Sequence, residues 1–302
     1  MIRHLAQLNV ATLRWPMDDP RTRDFAEGLP VVNGAGEHSL GYLWRLQSDS
    51  GDATDIQVFD DPLVIVNLTL WESLDALKAF AYRGIHRDFF RRRAEWFVEG
   101  SSRTALWWLP EGVLPTTDDA KRRLDFIDAF GTSPYAFESG QNHAALAIER
   151  VSLDDERAQR LIGQLNDDLT RMYPDPRNRH FRLDPDEVTG DRGCFVVAEI
   201  DDLASACGAY RRIDETTAEI KRMYVAPASR GLKVGAAIVA ELEAVARSKG
   251  IQRLLLETGI HQVPALRLYE RFGFRRCQCW GEYTLSSTSI CMEKTLTPAP
   301  AV

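Results

Sequence analysis

The stretch AEIKRMYVAPASRGLKVGAAIVAELEAVARSKG, residues 218–250, decides the fold of the second half of this chain. Its first eight residues are rich in β-branched and aromatic side chains and end near Pro227, which is typical of a strand. Apolar residues then recur at three- and four-residue spacing between Val234 and Ser248, and Gly250 is a helix-stop signal. The sequence therefore predicts a strand, a tight basic loop and a long helix.

The loop Arg230–Gly235, with sequence RGLKVG, indicates an anion site. Small residues let a ligand approach the backbone, and the N–H groups and positive dipole end of a helix attract phosphate. Neither G-x-x-x-x-G-K-[ST] nor a G-x-G-x-x-G after a strand is present, so two common nucleotide loops are excluded. We expect a phosphate-bearing cofactor of another class.

This loop resembles the pyrophosphate loop of the GNAT N-acetyltransferase superfamily, [QR]-x-x-G-x-[GA]. Here it stands as Arg230-x-x-Lys233-x-Gly235, with lysine in place of the middle glycine. That departure is tolerable if Lys233 has a negative φ and donates only its backbone N–H.

The flanking segments resemble small bacterial members of the same superfamily. They are the strand and step RLLLETGIHQ at 253–262, the helix end ALRLYERFGF at 265–274 and the closing segment SICMEK at 289–294. The resemblance covers roughly residues 144–297 and implies a GNAT mixed-sheet acyltransferase domain.

The resemblance implies acetyl-CoA as the donor co-substrate and a primary amine of a small molecule or peptide as the acceptor. Backbone from Met223 to Val225 would pair with the pantetheine arm, main-chain N–H groups would hold the pyrophosphate, and Arg230 would add a charged contact. The implied cofactor-binding residues are Met223, Tyr224, Val225, Arg230, Gly231, Leu232, Lys233, Val234, Gly235 and Ala236.

Three residues are candidates for the chemistry. Glu219 stands where many relatives carry the general base, and burial would raise its pKa enough to accept a proton through water. The alternative is a carboxylate paired with Lys221 or Arg222, and Glu257 is a rival base. Tyr269 matches the family tyrosine that protonates the departing thiolate, although a core aromatic is the other interpretation. Candidate acceptor-site contacts follow the first helix of this domain, at Tyr173, Arg179, His180 and Phe181.

The first half of the chain shows strand, helix, strand, strand, helix and strand patterns in that order, which predicts a ferredoxin-like unit. The segment FDDPLVIVNLTLWESLDALKAFAYRGIHRDFFRRRAEWF, residues 59–97, resembles an uncharacterised bacterial family with the dimeric α/β-barrel fold. That superfamily includes small monooxygenases and haem-handling proteins. A single sheet with one bare face implies a homodimer through this domain. The tryptophans at 44, 71, 107 and 108 could supply that face or an ordinary core.

His86 and Asn67 are the candidate functional residues of the first half. His86 is followed by Arg87 and Arg91–Arg93, so it belongs either to a solvated basic helix face or to the mouth of a pocket as a haem ligand or acid/base group. Asn67, on an otherwise apolar strand, either lines a pocket or is a satisfied core group.

The whole chain has 302 residues, a net charge of −7 and a pI near 5.5. Its length predicts two domains, and its acidity argues against nucleic-acid or membrane binding. The first residues lack the apolar core of a signal peptide, and no run is long enough for a membrane span. We therefore expect a cytoplasmic α+β protein with a ferredoxin-like α/β-barrel domain at 1–138, a linker at 139–143 and a GNAT domain at 144–302.

The five cysteines all lie in the second half, and their odd number does not indicate a secreted disulfide framework. No pair spacing indicates a zinc site, so no metal is expected. Cys277 and Cys279 are interpreted as two small residues on one face of a strand.

These patterns predict an N-acetyltransferase whose acceptor the sequence does not identify. Two alternatives remain open. The N-terminal domain could be a second enzyme of monooxygenase or haem type, or the GNAT domain could be a non-catalytic acyl-CoA-binding regulator.

Overall fold

The structure is a computed structural model that describes residues 2–141, 143–175 and 182–296. The chain divides into two compact units, Met1–Ala145 and Leu146–Val302. Each unit is described by itself.

The first unit is an antiparallel four-stranded sheet with helices, in the order β2-β3-β1-β4. The predicted order of strands and helices is observed, except that the second helical pattern forms two helices. The ferredoxin-like barrel assignment stays a prediction. The elements are β1 Arg3–Thr12, α1 Arg23–Glu37, β2 Tyr42–Arg45, β3 Val64–Trp71, α2 Leu74–Ala81, α3 Gly84–Trp96, β4 Arg103–Pro110 and α4 Thr117–Phe130.

Helices pack on both faces of this sheet within the unit, so the expectation of a bare face is wrong. On one face, Leu8 and Val10 pack with Leu124 of α4. The other face packs on α1, α2 and α3. Trp71 and Trp107 are buried in these cores. Dimerisation through this unit stays a prediction, but a bare sheet face no longer supports it.

The second unit is a mixed seven-stranded sheet in the order β10-β11-β9-β8-β7-β6-β5, antiparallel except for the pair β8–β9. The predicted bounds of the long helix (Val234–Ser248) and the strand after it (Arg253–Gly259) are confirmed. The elements are β5 Leu146–Val151, α5 Glu156–Met172, β6 Gly193–Ile200, β7 Leu203–Arg212, β8 Thr217–Val225, α6 Val234–Ser248, β9 Arg253–Gly259, α7 Val263–Arg271, β10 Arg275–Arg276 and β11 Ser289–Thr295.

Helices cover both faces of this second sheet. Leu161 and Leu165 of α5 pack on one face together with Phe195. On the other face α6 lies so close to β7 that a β-carbon at Gly208 would overlap Ile238. The central strands are therefore buried on both faces, between two helical layers.

The cysteine interpretation is wrong, because Cys279 lies outside the strands and is disulfide-bonded to Cys291 of β11. Cys277 is a free thiol. In the part of the chain that the structure describes, none of the helices combines the length and apolar character needed to cross a membrane.

Candidate active site

An opening between β8 and β9 defines the candidate site. Their parallel ladder runs from Thr217↔Arg253 to Ile220↔Leu256 and stops there. Both strands nevertheless continue, β8 to Val225 and β9 to Gly259. Within the described residues, the end of β8 is thus paired with β7 alone, which leaves one backbone edge facing the opening.

A β-bulge in β8 lies where the two strands part. The register with β7 shifts between Cys207↔Tyr224 and Ala209↔Lys221, and Arg222 has a φ of 59°. A bulge bends its strand and increases its twist. The bulge therefore turns the predicted pantetheine-pairing segment, Met223–Val225, away from the line of the ladder.

The loop after β8 keeps a glycine-type backbone at the position where the sequence has lysine. Lys233 has a φ of 62°, in the left-handed region, so the condition of a negative φ, under which this lysine would be tolerable, is not met. Gly231 also has a positive φ, of 83°. Two left-handed residues within three positions let the chain turn sharply into α6, and this geometry outweighs the side-chain preference of lysine.

The start of α6 lies at the mouth of the opening and has the features that attract an anion. The N–H groups in the first turn of a helix have no acceptor within the helix and carry its positive dipole end. A β-carbon on Gly235 would lie 3.3 Å from Val225 Cγ2 and 3.5 Å from Leu268 Cδ2. Because glycine occupies this position, the first turn of α6 approaches the end of β8 closely.

Arg230 lies at the start of this loop with its side chain more than half exposed. Nε donates to the carbonyl of Val225 at 3.1 Å, and Nη2 lies 3.1 Å from Oδ2 of Asp168 on α5. The side chain is thus fixed beside the loop while its charge stays accessible.

Glu219 is fully buried within the paired part of the strands, and both of its oxygens are engaged. Oε2 accepts from Arg211 Nε at 2.8 Å, and Oε1 accepts from the Tyr283 hydroxyl at 2.5 Å. Lys221 Nζ donates to the same hydroxyl at 2.8 Å. Burial and the charge of Glu219 raise the pKa of Tyr283, and burial lowers the pKa of Lys221. Glu219 is therefore paired with Lys221, at 3.8 Å, as one interpretation of the sequence predicted. Its closer partner is Arg211, at 2.8 Å, and not Arg222.

Glu257 lies beyond the last parallel pair, where β9 has left β8, and it is only partly buried. Its Oε1 accepts a hydrogen bond from Ser289 Oγ at 2.5 Å. Tyr269 of α7 is buried, and this burial, together with the charge of Glu257, raises the pKa of its phenol. The phenol is therefore protonated at neutral pH and close enough to Glu257 to feel its charge.

Tyr173 covers the end of β9. Its hydroxyl accepts from the N–H of His261 at 3.2 Å, and a β-carbon at Gly259 would overlap that hydroxyl. Burial raises its pKa. The other predicted acceptor contacts, Arg179, His180 and Phe181, lie outside the described residues.

Arg211 and Tyr283 were missed as site residues by the sequence interpretation. Arg211 faces Glu219 directly across β7 and β8, a relationship that only the strand register reveals. Tyr283 lies in a short 3-10 helix, Gly281–Leu285, 64 residues from Glu219 along the chain. In the first unit, His86 and Asn67 line one cavity.

Comparisons with known proteins divide the chain in the same two halves. A model described as the acetyltransferase (GNAT) family matches residues 152–274, and a domain of unknown function, DUF3291, matches residues 4–152. The chain is 33% identical to an IAA acetyltransferase of Azospirillum brasilense over 152 residues, which are 50% of this chain and 98% of that protein. It is 30% identical to the uncharacterized N-acetyltransferase YsnE of Bacillus subtilis over 151 residues, 48% of this chain and 99% of that protein. A GNAT family acetyltransferase from Elizabethkingia anophelis, solved with acetyl-CoA bound, is 19% identical, with 50% of this chain and 98% of that chain covered and a TM-score of 0.37.

Proposed function

This chain belongs to the GNAT acetyltransferase family, to which residues 152–274 match, and we propose that it transfers an acetyl group from acetyl-CoA to a primary amine of a small molecule or peptide. One observation carries the proposal. The β8–β9 ladder stops at Ile220↔Leu256 beside the N-terminus of α6, which leaves a backbone edge and an anion site next to each other.

The residues at this opening suit acetyl-CoA. The edge of Met223–Val225 offers N–H and C=O groups to the amide-bearing pantetheine arm, as an added strand would. The first turn of α6 and the accessible charge of Arg230 suit the pyrophosphate. Acetyl-CoA supplies an activated thioester carbonyl.

The proposed proton transfers use Glu257 and Tyr269. As the amine nitrogen bonds to the carbonyl carbon and the C–S bond breaks, Glu257 accepts the ammonium proton and Tyr269 donates a proton to the sulfur. Glu257 is preferred to Glu219 as the base, because Glu219 has both oxygens bound and no exposed surface. We propose that Glu219 positions β8 through Arg211 and Tyr283.

A thermal melt with acetyl-CoA at about 100 times its dissociation constant tests the cofactor site, because binding then adds about 2.7 kcal/mol to the native state. We expect an upshift of the melting temperature that Arg230→Glu largely removes and that Arg160→Glu, an exposed change on α5, retains. No upshift in the unmodified protein would contradict acetyl-CoA as the donor.

Thiol release in the presence of a panel of primary amines, secondary amines and alcohols tests the acceptor. We expect release with at least one primary amine. Glu257→Gln should then abolish turnover while the acetyl-CoA upshift persists. Acetyl-CoA binding without thiol release across the panel would favour a non-catalytic acyl-CoA binder and overturn the proposal.

A further inference from the structure

The sheet of the first unit carries polar side chains in the middle of a face on which helices pack at both ends. Gln7 lies opposite Thr69, and Asn9 lies between Asn67 and Thr104. At one end of this face the core contains Leu74 and Leu77, and at the other end it contains Phe25 and Trp96. These two cross-strand rows, Gln7 with Thr69 and Asn9 with Asn67 and Thr104, are called the polar rungs. They interrupt an otherwise apolar interface between the sheet and the helices.

The opposite face of the same strands has no such interruption. Its residues are the alternate positions of each strand and form a continuous apolar cluster with α4: Ala6, Leu8, Val10, Val66, Leu68, Leu70, Ala105, Trp107 and Leu109. Covering amide side chains without hydrogen-bond partners is unfavourable. Gln7 and Asn9 are half-buried and Asn67 is exposed, so these polar side chains suit a polar occupant above them.

A cavity of about 420 Å³ lies over these rungs. Its floor includes Gln7, Asn9 and Asn67, and its walls include the aromatic side chains of α1, α2 and α3 and the connection after α3: Phe25, Phe80, Phe89, Phe90, Trp96 and Phe97. This volume is within the range of small-molecule sites, which combine apolar and aromatic walls with a few fixed polar groups.

The hydrogen bonds of the floor determine which groups face a ligand. Thr104 Oγ1 donates to Asn9 Oδ1 at 2.9 Å, and Thr69 Oγ1 donates to Gln7 Oε1 at 3.2 Å. Trp71 Nε1 donates to Thr69 Oγ1 in turn. Because these amide oxygens are engaged, the NH₂ groups of Gln7 and Asn9 remain as donors, and the described residues offer them no acceptor. The floor therefore suits a ligand with acceptor oxygens.

The charges around the cavity are mainly positive. Arg45, Lys78 and Arg93 line it, and Asp52 is the opposing carboxylate in the lining. Neither Lys78 nor Arg93 has an ion-pair partner among the described residues, whereas Arg45 is paired with Glu37. The field over the floor therefore favours an anion.

His86 adds no charge to this lining near neutral pH. Its Nδ1 donates to the carbonyl of Ala81 at 2.9 Å, and its ring lies 4.7 Å from that of Phe80. Burial lowers its pKa, so the ring is neutral near pH 7. His86 thus contributes an aromatic wall and a neutral polar edge.

We propose that this cavity binds a small flat aromatic carboxylate. Its ring stacks against the aromatic walls, and its carboxylate oxygens accept from the amide rungs within the positive field of Lys78 and Arg93. This site belongs to the first unit and does not depend on the acetyltransferase assignment.

Three probes that share a naphthalene ring and differ in the charge of their substituent test the ligand class. They are the anion 2-naphthoate, the neutral methyl 2-naphthyl ketone and the cation 2-naphthylmethyl-trimethylammonium. Binding to the full chain is followed by tryptophan fluorescence, since Trp71 and Trp96 line the cavity, and by the melting temperature. We expect 2-naphthoate to bind most tightly and the cation most weakly. Saturating acetyl-CoA should leave 2-naphthoate binding unchanged.

Two variants locate the site. Asn9→Leu removes a floor donor and Lys78→Met removes a wall charge, and each should weaken 2-naphthoate binding by about tenfold or more. Gln252→Leu, an amide-to-leucine change at an exposed position of the second unit, is the matched control and should leave the affinity unchanged. Undiminished affinity in both cavity variants, preference for the cation, competition by acetyl-CoA, or no binding of any probe up to about 1 mM would each overturn the proposal.

Discussion

Arg211 binds the carboxylate of Glu219 directly across strands β7 and β8, with Nε and Nη2 both 2.8 Å from Oε2. Glu219 is fully buried, and Lys221 is 7% exposed beside it. Two cations therefore share this buried carboxylate at the root of the candidate site, and their second partners, Glu187 for Arg211 and Glu282 for Lys221, are more exposed.

Glu219→Gln should lower the free energy of unfolding by about 3–5 kcal/mol, because it leaves Arg211 and Lys221 without their buried counter-charge. Denaturant unfolding measures this loss. Glu293→Gln, which removes a half-exposed ion pair with Arg253, is the control and should change stability by less than about 1 kcal/mol. Equal stability of the two variants would contradict the stabilising role of this buried charge pairing.

Tyr269→Phe should lower kcat about 100-fold or more while the acetyl-CoA upshift persists, because the phenol is the proposed proton donor to the thiolate. Steady-state thiol release gives kcat and KM separately. Tyr210→Phe removes another buried hydroxyl whose pKa burial raises to about 12 and should keep kcat. An unchanged kcat in Tyr269→Phe would remove it as the acid.

Lys233→Gly should be tolerated or slightly stabilising, since the left-handed conformation at this position costs a non-glycine residue about 1–2 kcal/mol. The greater freedom of glycine in the unfolded chain offsets part of that gain. Lys233→Val, with a β-branched side chain at the same φ, should be clearly less stable and bind acetyl-CoA more weakly. Melting temperatures of the unmodified protein and the two variants give the order of stability. A Lys233→Val variant as stable as Lys233→Gly would contradict the prediction.

Gly259→Ala should destabilise the second unit by about 1–3 kcal/mol, because the new methyl group overlaps the hydroxyl of Tyr173. The same substitution should also reduce turnover, because it displaces Tyr173 from the candidate site. Gly163→Ala, at an exposed site in α5 with open space around it, should instead be neutral or stabilising by about 0.5–1 kcal/mol. Thermal melts distinguish the two, and a harmless Gly259→Ala would show that Tyr173 does not rest against β9.

Cys279→Ser should lower stability under oxidising conditions by about 2–3 kcal/mol, since the Cys279–Cys291 disulfide closes a short loop onto β11. Adding a reductant should lower the stability of the unmodified protein to nearly that of the variant. Cys277→Ser, at a free thiol, should show no such redox dependence. Alkylation and mass measurement check the bond directly, and five reactive thiols in unfolded, unreduced protein would contradict it.

The sequence alone determined the elements whose signals are local. The apolar spacing from Val234 to Ser248 and the run from Arg253 to Gly259 fixed a helix and a strand, because periodicity and stop residues act within a few positions. The basic loop and its flanks identified the acetyltransferase family for the same reason. The interpretation of Lys233 failed because its φ is imposed by the turn between β8 and α6 and outweighs its own preference.

The tertiary structure decided everything that depends on which distant residues meet. The end of the β8–β9 ladder, the Arg211–Glu219–Tyr283 cluster, the Cys279–Cys291 bond and the polar rungs beneath a helical layer all follow from strand register and packing. Side-chain period in a strand predicts that Asn9 and Gln7 share a face, but it does not say that Asn67 and Thr104 flank Asn9. Contacts between residues far apart in the sequence depend on how the whole chain packs, so a local sequence pattern does not predict them.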